Sequence, residues 1–277
     1  MGLQLFKRSI FTKKKTMLEL EGKMALVCGS TQGIGKAVAT KLAAMGATVT
    51  LVARDIAKLE LTRDNLPTPA NQEHKMISTD FSDYLAVQAQ LKIWSDNGGV
   101  ADILVNNTGG PKGGPIIDAD ISEFINTFNQ HLVCNHLLVQ TVVPGMKQRG
   151  GGRIINIIST SVKQPLVGLG VSNTIRGAVG NWSKSLANEL GQFNITVNNV
   201  LPGATNTIRL QQIAEAKSQK TGDSIPSIFE EMASESPMKR IAEPEEIANA
   251  VAFLASPAAS YINGINIPVD GGRTKSL

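Results

Sequence analysis

Cysteine and histidine are scarce in this chain, which has two cysteines and three histidines among 277 residues. Cys28 and Cys134 both lie in apolar stretches, and no His/Cys cluster has the spacing of metal ligands. This scarcity argues against a disulfide framework and against a structural zinc site, so we expect no bound metal. A reducing, cytoplasmic location fits the composition best.

The sequence also lacks an apolar run of about 18 residues, an internal repeat and a low-complexity tract. We therefore expect no membrane span. With 42% hydrophobic and 18% charged residues, the chain can bury a large core, and its length is typical of a single α/β domain.

Acidic residues are absent from residues 1–16, which hold five lysines and arginines. These charges account for the whole formal net charge of +4, so nucleic acid is not an expected partner. We expect residues 1–19 to be a disordered basic extension and residues 20–277 to form the folded domain. A membrane-surface or targeting role is the alternative for residues 1–16.

From residue 21 onward, short β-rich apolar runs alternate with helical patterns. This alternation is typical of a parallel sheet covered by helices on both faces. It predicts strands at Met24–Cys28, Thr48–Val52, Lys75–Ser78, Ile103–Val105, Ile154–Ile158, Thr196–Val200 and Ile265–Pro268. Predicted helices are Gly33–Met45, Ile56–Asn65, Tyr84–Asn97, Ile121–Gln148, Ser172–Gly191 and Pro244–Leu254. The fold class is therefore α/β, a single-domain, doubly wound, seven-stranded parallel (Rossmann) sheet, with residues 207–240 as a substrate lid.

A glycine-rich turn follows the first predicted strand. Its glycines let the backbone approach a pyrophosphate closely, and the next helix presents free N–H groups to the negative charge. An ordinary tight turn is the alternative. The residues expected to bind the cofactor here are Gly29, Ser30, Thr31, Gly33, Ile34 and Gly35.

Ligands of such sheets bind beyond the carboxyl ends of the strands. After the second strand, Ala53 cannot accept from a ribose hydroxyl, whereas Arg54 can pair with a 2′-phosphate, which favours NADP(H) over NAD(H). A surface ion pair is the alternative for Arg54. Asp80, followed by Phe81, is a candidate adenine contact or else a helix cap.

Two further strand ends carry groups suited to the rest of a dinucleotide. Asn107 and Gly109 follow the fourth strand, where an asparagine-rich turn without a ligand is the alternative. The loop after the sixth strand supplies Pro202, Gly203, Thr205 and Thr207, whose hydroxyls suit a carboxamide.

Taken together over Leu18–Gly272, these segments resemble the short-chain dehydrogenase/reductase family, and its 3-oxoacyl-carrier-protein-reductase-like members in particular. The resemblance implies that Gly29, Gly33 and Gly35 form the pyrophosphate turn and that Asp80 contacts adenine. It implies that Asn107 and Gly109 correspond to the family's Asn-Asn-Ala-Gly, with Thr108 replacing Ala. It also implies a homo-oligomer, a tetramer or dimer.

The catalytic half of the family pattern is altered. Ser159 occupies the family's serine position, but the residues thirteen and seventeen positions later are Ser172 and Arg176 instead of Tyr and Lys. The two tyrosines, at positions 84 and 261, are not followed by Lys four residues later, so no Tyr-x3-Lys pair exists in the chain. His131 aligns with the family's catalytic Asn.

These replacements require another source for the substrate proton. Ser172 and Arg176 share a helix face, so Arg176 can keep the positive charge and the ribose contact while Ser172 holds a water. Lys163 is the favoured proton donor, since burial beside Arg176 would lower its pKa. His131 is the alternative, expected to titrate near neutral pH.

The expected function is that of an NADP-dependent oxidoreductase with a small-molecule substrate, of the carbonyl or enone reductase or alcohol dehydrogenase type, using an atypical Ser159-Ser172-Arg176 site. A catalytically inactive nucleotide-binding homologue, acting as a sensor or structural subunit, is the alternative. The polar groups retained around Ser159 favour the enzyme.

Overall fold

The computed structural model describes residues 19–276, so the expectation of a disordered basic extension falls almost wholly outside the described part of the chain. The described residues form one sheet of seven parallel strands in the order β3-β2-β1-β4-β5-β6-β7. The strands are β1 Met24–Cys28, β2 Thr48–Ala53, β3 Lys75–Ser78, β4 Ile103–Asn106, β5 Gly152–Ile157, β6 Ile195–Pro202 and β7 Asn266–Val269. The predicted α/β fold is confirmed.

Helices cover both faces of this sheet. They are α1 Gly33–Ala44, α2 Ile56–Asp64, α3 Tyr84–Asp96, α4 Ile121–Phe128, α5 Cys134–Gln148, α6 Gly170–Leu190, α7 Ile208–Thr221, α8 Ile225–Ser234 and α9 Pro244–Ala255. One apolar layer is formed where α1 and α9 pack on the sheet, and a second forms beneath α3 and α5. None of the helices in residues 19–276 has the length and apolar character needed to cross a membrane.

The predicted helix over residues 121–148 is wrong in one respect. A π-helical turn, Asn129–Val133, separates α4 from α5 and contains His131. Such turns insert an extra residue into the i→i+4 ladder and often occur at functional sites. Hydrophobic periodicity does not reveal a single inserted residue, and here the turn directs His131 into the protein interior, where it is 1% exposed.

A ladder of buried asparagine amides crosses four neighbouring strands. Asn106 Nδ2 donates to Asn156 Oδ1 at 2.8 Å, and Asn156 Nδ2 donates to Asn199 Oδ1 at 2.9 Å. Asn199 Nδ2 in turn donates to Asn266 Oδ1 at 2.7 Å. Because these residues are paired across β4, β5, β6 and β7, the ladder fixes the register of the strands that carry the site.

The proposed lid, residues 207–240, consists mainly of α7 and α8. Thr207 caps α7 by accepting a hydrogen bond from Leu210 N at 3.2 Å. Lys217 on α7 pairs with Glu231 on α8 at 2.5 Å, and the two helices pack against each other. The segment is therefore a helical hairpin attached to the carboxyl end of β6.

Candidate active site

A cleft of about 560 Å³ lies at the carboxyl edge of the sheet. It runs from the ends of β2 and β3, across the turn between β1 and α1, to the ends of β5 and β6 and the start of α7. This is the edge where open α/β sheets bind ligands. The cleft brings most of the predicted cofactor and catalytic residues together.

The glycine turn between β1 and α1 forms the floor of the cleft. Gly29 and Gly33 have φ angles of +59° and +51°, which favour glycine. A Cβ at Gly29 would lie 2.6 Å from Asn107 Nδ2, and this same amide donates to the carbonyls of Cys28 and Gly29 at 3.2 and 3.3 Å. The turn is thus held in place by the residue that follows β4.

Two predicted members of the turn contribute to its structure instead of lining the cleft. A Cβ at Gly35 would lie 2.0 Å from Gly29 O, so this glycine allows α1 to pack against the turn. Ser30 is fully buried, and its Oγ donates to Val52 O at 3.3 Å. Thr31, Gly33 and Ile34 line the cleft as predicted.

Charged side chains are concentrated at the end of the cleft nearest β2 and β3. Arg54 Nη1 lies 3.5 Å from Asp80 Oδ2, and Lys58 Nζ lies 3.3 Å from Asp55 Oδ2. The backbone N–H of Ser82 and the Arg54 charge hold the pKa of Asp80 below its usual value. Two exposed cations therefore face this end, and each has a weak, solvent-screened partner.

The remaining predicted cofactor residues also line the cleft. They are Phe81, Asn107, Gly109, Pro202, Gly203, Thr205 and Thr207. Thr205 Oγ1 donates to Gly203 O at 3.0 Å, and Thr207 Oγ1 donates to Thr205 O at 3.2 Å. Since the Thr207 side chain would lie 3.1 Å from a Cβ placed at Gly33, the loop after β6 closes over the glycine turn.

Ser159, Ser172 and Arg176 line the other end of the cleft, as predicted. Arg176 is 9% exposed, and its Nη1 donates to Ile157 O at 2.9 Å. Burial, together with the charge of Arg209, lowers the pKa of Arg176 to about 10, so the guanidinium remains protonated at neutral pH. Ser159 Oγ accepts from Ser161 N at 3.1 Å and caps a short 3-10 turn.

His131 lies behind this end of the cleft. Its Nδ1 is 2.5 Å from the hydroxyl of Thr108, which lines the cleft, and its buried Nε2 has no hydrogen-bond partner among the described residues. The expectation that His131 titrates near neutral pH is wrong. Burial first, and then the nearby Arg176 charge, lower its pKa well below 6.5, so the imidazole is neutral at pH 7.

Lys163, like His131, is a predicted catalytic residue that does not line the cleft. It ends the 3-10 turn after Ser159, is half-buried, and donates its backbone N–H to Thr160 O at 2.9 Å. Its side chain is not among those that line the cavity.

Sequence reasoning missed several polar or charged residues of the cleft, among them Lys58, Thr108, Gln130 and Arg209. Arg209 Nη2 donates to Pro111 O at 2.5 Å and so bridges the start of α7 and the loop after β4. Its position two residues after Thr207, at the beginning of the lid, was the available signal.

Comparison with known proteins identifies a matching family model and relatives of this chain. Residues 29–274 match the family model described as enoyl-(acyl carrier protein) reductase. The chain is 33% identical over 256 residues to the NADPH-dependent reductase BacG of Bacillus subtilis, covering 92% of this chain and 99% of that protein. It is 32% identical to the 3-oxoacyl-[acyl-carrier-protein] reductase FabG of Vibrio harveyi, covering 92% and 98%.

A solved structure resembles the fold over nearly its whole length. The L-sorbose reductase of Gluconobacter frateurii, complexed with NADPH and L-sorbose, superposes with a TM-score of 0.87 at 33% identity, covering 94% of this chain and 99% of that one. Together with the glycine turn and the strand order, these matches show that the chain belongs to the short-chain dehydrogenase/reductase family, as a 3-oxoacyl-carrier-protein-reductase-like member.

Proposed function

We propose that this protein is an NADP(H)-dependent oxidoreductase that reduces a carbonyl or enone, or oxidises the corresponding alcohol. The observation that carries the proposal is the continuity of the cleft. One cavity joins the glycine turn and Arg54 to the half-buried Ser159 and Ser172 and the buried Arg176.

The residues present fit NADP(H). Gly29 and Gly33 line the cleft without a side chain and have positive φ angles, so the backbone of the turn can approach a pyrophosphate closely. Arg54 and Lys58 would face the 2′-phosphate, with Asp80 beside the adenine. NADPH, when bound, supplies the hydride.

At the other end, the chain's own groups would polarise the substrate oxygen. Ser159 and Ser172 each present a hydroxyl to the cavity, and Arg176 keeps a fixed positive charge in a low-dielectric setting, where such a charge acts strongly. A serine hydroxyl is too weak an acid to replace a tyrosine, so we propose that these groups hold a water that transfers the proton.

The route by which that water is reprotonated is also a proposal. The Thr108 hydroxyl links the cavity to His131 Nδ1, and this geometry supports His131 over Lys163, whose side chain does not line the cleft. Because the imidazole is neutral and its Nε2 has no partner among the described residues, we propose that His131 holds the Thr108 hydroxyl in place through Nδ1, while solvent in the cleft resupplies the proton.

NADPH fluorescence titration, followed by NADPH oxidation over a panel of ketones, quinones and enones, tests the function. Ser159→Ala and Ser172→Ala should each lower kcat while leaving NADPH affinity within about twofold. Lys163→Met should keep the wild-type rate and His131→Phe should lose it. Tight NADPH binding without turnover of any panel member would favour the inactive, sensing or structural alternative.

The assembly is proposed to be a homo-oligomer, a tetramer or dimer. Helix α4 exposes Ile121, Ile125 and Phe128, a stripe of large apolar side chains with spacings of three and four residues. Light scattering should give a multiple of 29.4 kDa, and Ile125→Glu should reduce it. A single-chain mass for the unmodified protein would contradict this proposal.

A reducing, cytoplasmic location is proposed from the state of the two thiols. Cys28 and Cys134 are both buried and free. Burial raises the pKa of Cys134 to about 12 and raises that of Cys28 further, so neither thiol ionises at neutral pH.

A further inference from the structure

The substrate end of the cleft holds two arginines and no carboxylate. Arg176 is nine-tenths buried and Arg209 is half-buried, and both line the cavity near enough for their charges to oppose each other. Within residues 19–276, neither guanidinium has an acidic partner, and the hydrogen-bond acceptors found for them are the carbonyls of Ile157 and Pro111.

The acids of the cleft do not compensate these charges. Among the described residues, Asp55 and Asp80 are the acidic ones that line the cavity, and both lie at the opposite end, beside Lys58 and Arg54. The side chains nearer the arginines are neutral, namely Gln130, Ser159 and Ser172. Two uncompensated cations in a partly desolvated cavity favour an anion between them.

Three other cations of the lid are already engaged, and the fourth, Lys220, lies exposed in the last turn of α7 and does not line the cleft. Lys217 pairs with Glu231 at 2.5 Å, and Arg240 pairs with Glu246 at 2.6 Å. Lys239 Nζ donates to Ser234 O at 2.8 Å. Arg209 is therefore the lid cation placed to meet a ligand.

We propose that Arg209, with Arg176, forms an anion subsite that selects an oxo or enone substrate carrying a carboxylate close to the reacting carbon. This inference rests on the proposed reductase function and deepens it. The Pro111 carbonyl holds Arg209 against the loop after β4, so its guanidinium is positioned at the cavity before a carboxylate binds.

The cofactor's pyrophosphate is the other source of anionic oxygens in the same cleft. The residue of this loop that reaches the glycine turn is Thr207, whose side chain approaches Gly33. Arg209 lies instead beside Gly110 and Pro111 and within the field of Arg176, whose own guanidinium donates to Ile157 O at the carboxyl end of β5. This placement favours the substrate as the source.

Equilibrium binding tests the subsite without requiring turnover. The full-length protein saturated with NADPH is titrated with benzoate and with benzamide, an unreactive pair of similar shape that differs in charge. We expect benzoate to bind at least about tenfold more tightly, since a charge-assisted bidentate contact is much stronger than a neutral one. Equal affinities for the two ligands would overturn the proposal.

Variants at two positions of α7 test whether Arg209 is the source of the preference for benzoate over benzamide. Arg209→Gln should remove the preference for benzoate while leaving the NADPH dissociation constant within about twofold, and Arg209→Lys should keep part of the preference. Lys220→Gln removes the same charge from the exposed, far end of α7 and should leave the preference intact. Loss of the preference in Lys220→Gln to the same degree would contradict a specific role for Arg209.

A role for Arg209 in binding the substrate carboxylate and a role in binding the cofactor's pyrophosphate predict different results. If Arg209→Gln weakens NADPH binding about tenfold and leaves benzoate unaffected, the arginine serves the pyrophosphate and the proposal is wrong. A kinetic arm compares benzoylformate with its methyl ester, and KM for the acid alone should rise in Arg209→Gln. Selective benzoate binding without reduction of any carbonyl would support the subsite while rejecting the reductase function.

Discussion

At the scale of single residues, Arg54 shows how a weak ion pair can position a side chain that remains able to bind a ligand. Its guanidinium lies 3.5 Å from Asp80, yet the two side chains are 77% and 43% exposed. An exposed pair of this kind contributes little to stability. A 2′-phosphate would therefore compete for Arg54 at small cost, and Lys58 adds a second charge nearby.

Arg54→Asp should reverse the cofactor preference. The variant places a carboxylate where a 2′-phosphate would be repelled and where a ribose diol would be accepted. The ratio of NADPH to NADH dissociation constants should change at least about a hundredfold, measured by nicotinamide fluorescence. Lys92→Asp, a change at an equally exposed cation on α3, should leave the ratio unaltered. Unchanged discrimination in Arg54→Asp would rule out a role for this residue in cofactor choice.

Burial of His131 makes the stability of the folded chain depend on pH. The unfolded chain takes up a proton at this residue near pH 6.5, whereas the folded chain resists protonation to much lower pH because the ring is buried beside Arg176. Below pH 6.5 the unfolded state thus binds more protons. The stability contribution of neutral His131 is fully present above that pH and is lost as the pH falls below it.

His131→Asn should remove this component of acid sensitivity. Between pH 7.5 and 5.5, the free energy of unfolding of the wild type should fall by about 1 kcal/mol more than that of the variant. Urea denaturation at both pH values measures the difference. Identical losses in the two proteins would mean that His131 takes up a proton over the same pH range in the folded and unfolded states.

At the scale of elements, the β1–α1 turn depends on backbone spacing more than on side-chain chemistry. Gly35 lies in the first turn of α1 with its Cα close to Gly29 O. Asn107 fastens the same turn from the end of β4. Two strand ends and a helix start therefore form one rigid cradle.

Gly35→Ala should weaken NADPH binding by more than about tenfold, because a methyl group 2.0 Å from Gly29 O must displace the turn or the helix. Gly145→Ala in α5 is the matched control, as its Cβ would meet only Val100 Cγ1 at 3.9 Å. That variant should bind NADPH normally and be slightly more stable, since alanine favours a helix over glycine. Normal NADPH affinity in Gly35→Ala would contradict the role of close packing in this turn.

At the scale of the whole molecule, Asn156 is the centre of the amide ladder. It accepts from Asn106 and donates to both Asn199 and Ser183 at 2.9 Å, and it is fully buried. An apolar replacement would leave two neighbouring groups, Asn106 Nδ2 and Asn199 Oδ1, without a partner in the interior, whereas Ser183 would keep its hydrogen bond to Val179 O.

Asn156→Leu should lower the free energy of unfolding by about 3 kcal/mol, because each unpaired buried group costs about 1–3 kcal/mol. Gln88→Leu, which places the same side chain on the exposed surface of α3, should change stability by less than about 0.5 kcal/mol. Chemical denaturation measures both. A small effect at Asn156 would show that the ladder's neighbours re-pair or hydrate.

Local sequence patterns predicted most of the fold. The bounds of β1 and β3 are as predicted, because turn residues and charged side chains border short apolar runs. The sequence also indicated the glycine turn and the residues that follow each strand, since the topology of a parallel sheet places the strand ends along one edge. The π turn at His131, the Arg54–Asp80 pair and the hydrogen bond from Arg209 to Pro111 depend on packing between distant segments, which no local pattern encodes.

The amide ladder also bears on how the chain folds. Its three hydrogen bonds join residues that are 50, 43 and 67 positions apart, so each forms only after long loops have closed. A slip of one residue in β5 would turn Asn156 away from its partners and into an apolar layer. We therefore expect the ladder to form late in folding and to disfavour chains in which a strand has the wrong register. The variant Asn156→Leu should refold through misregistered, aggregation-prone intermediates.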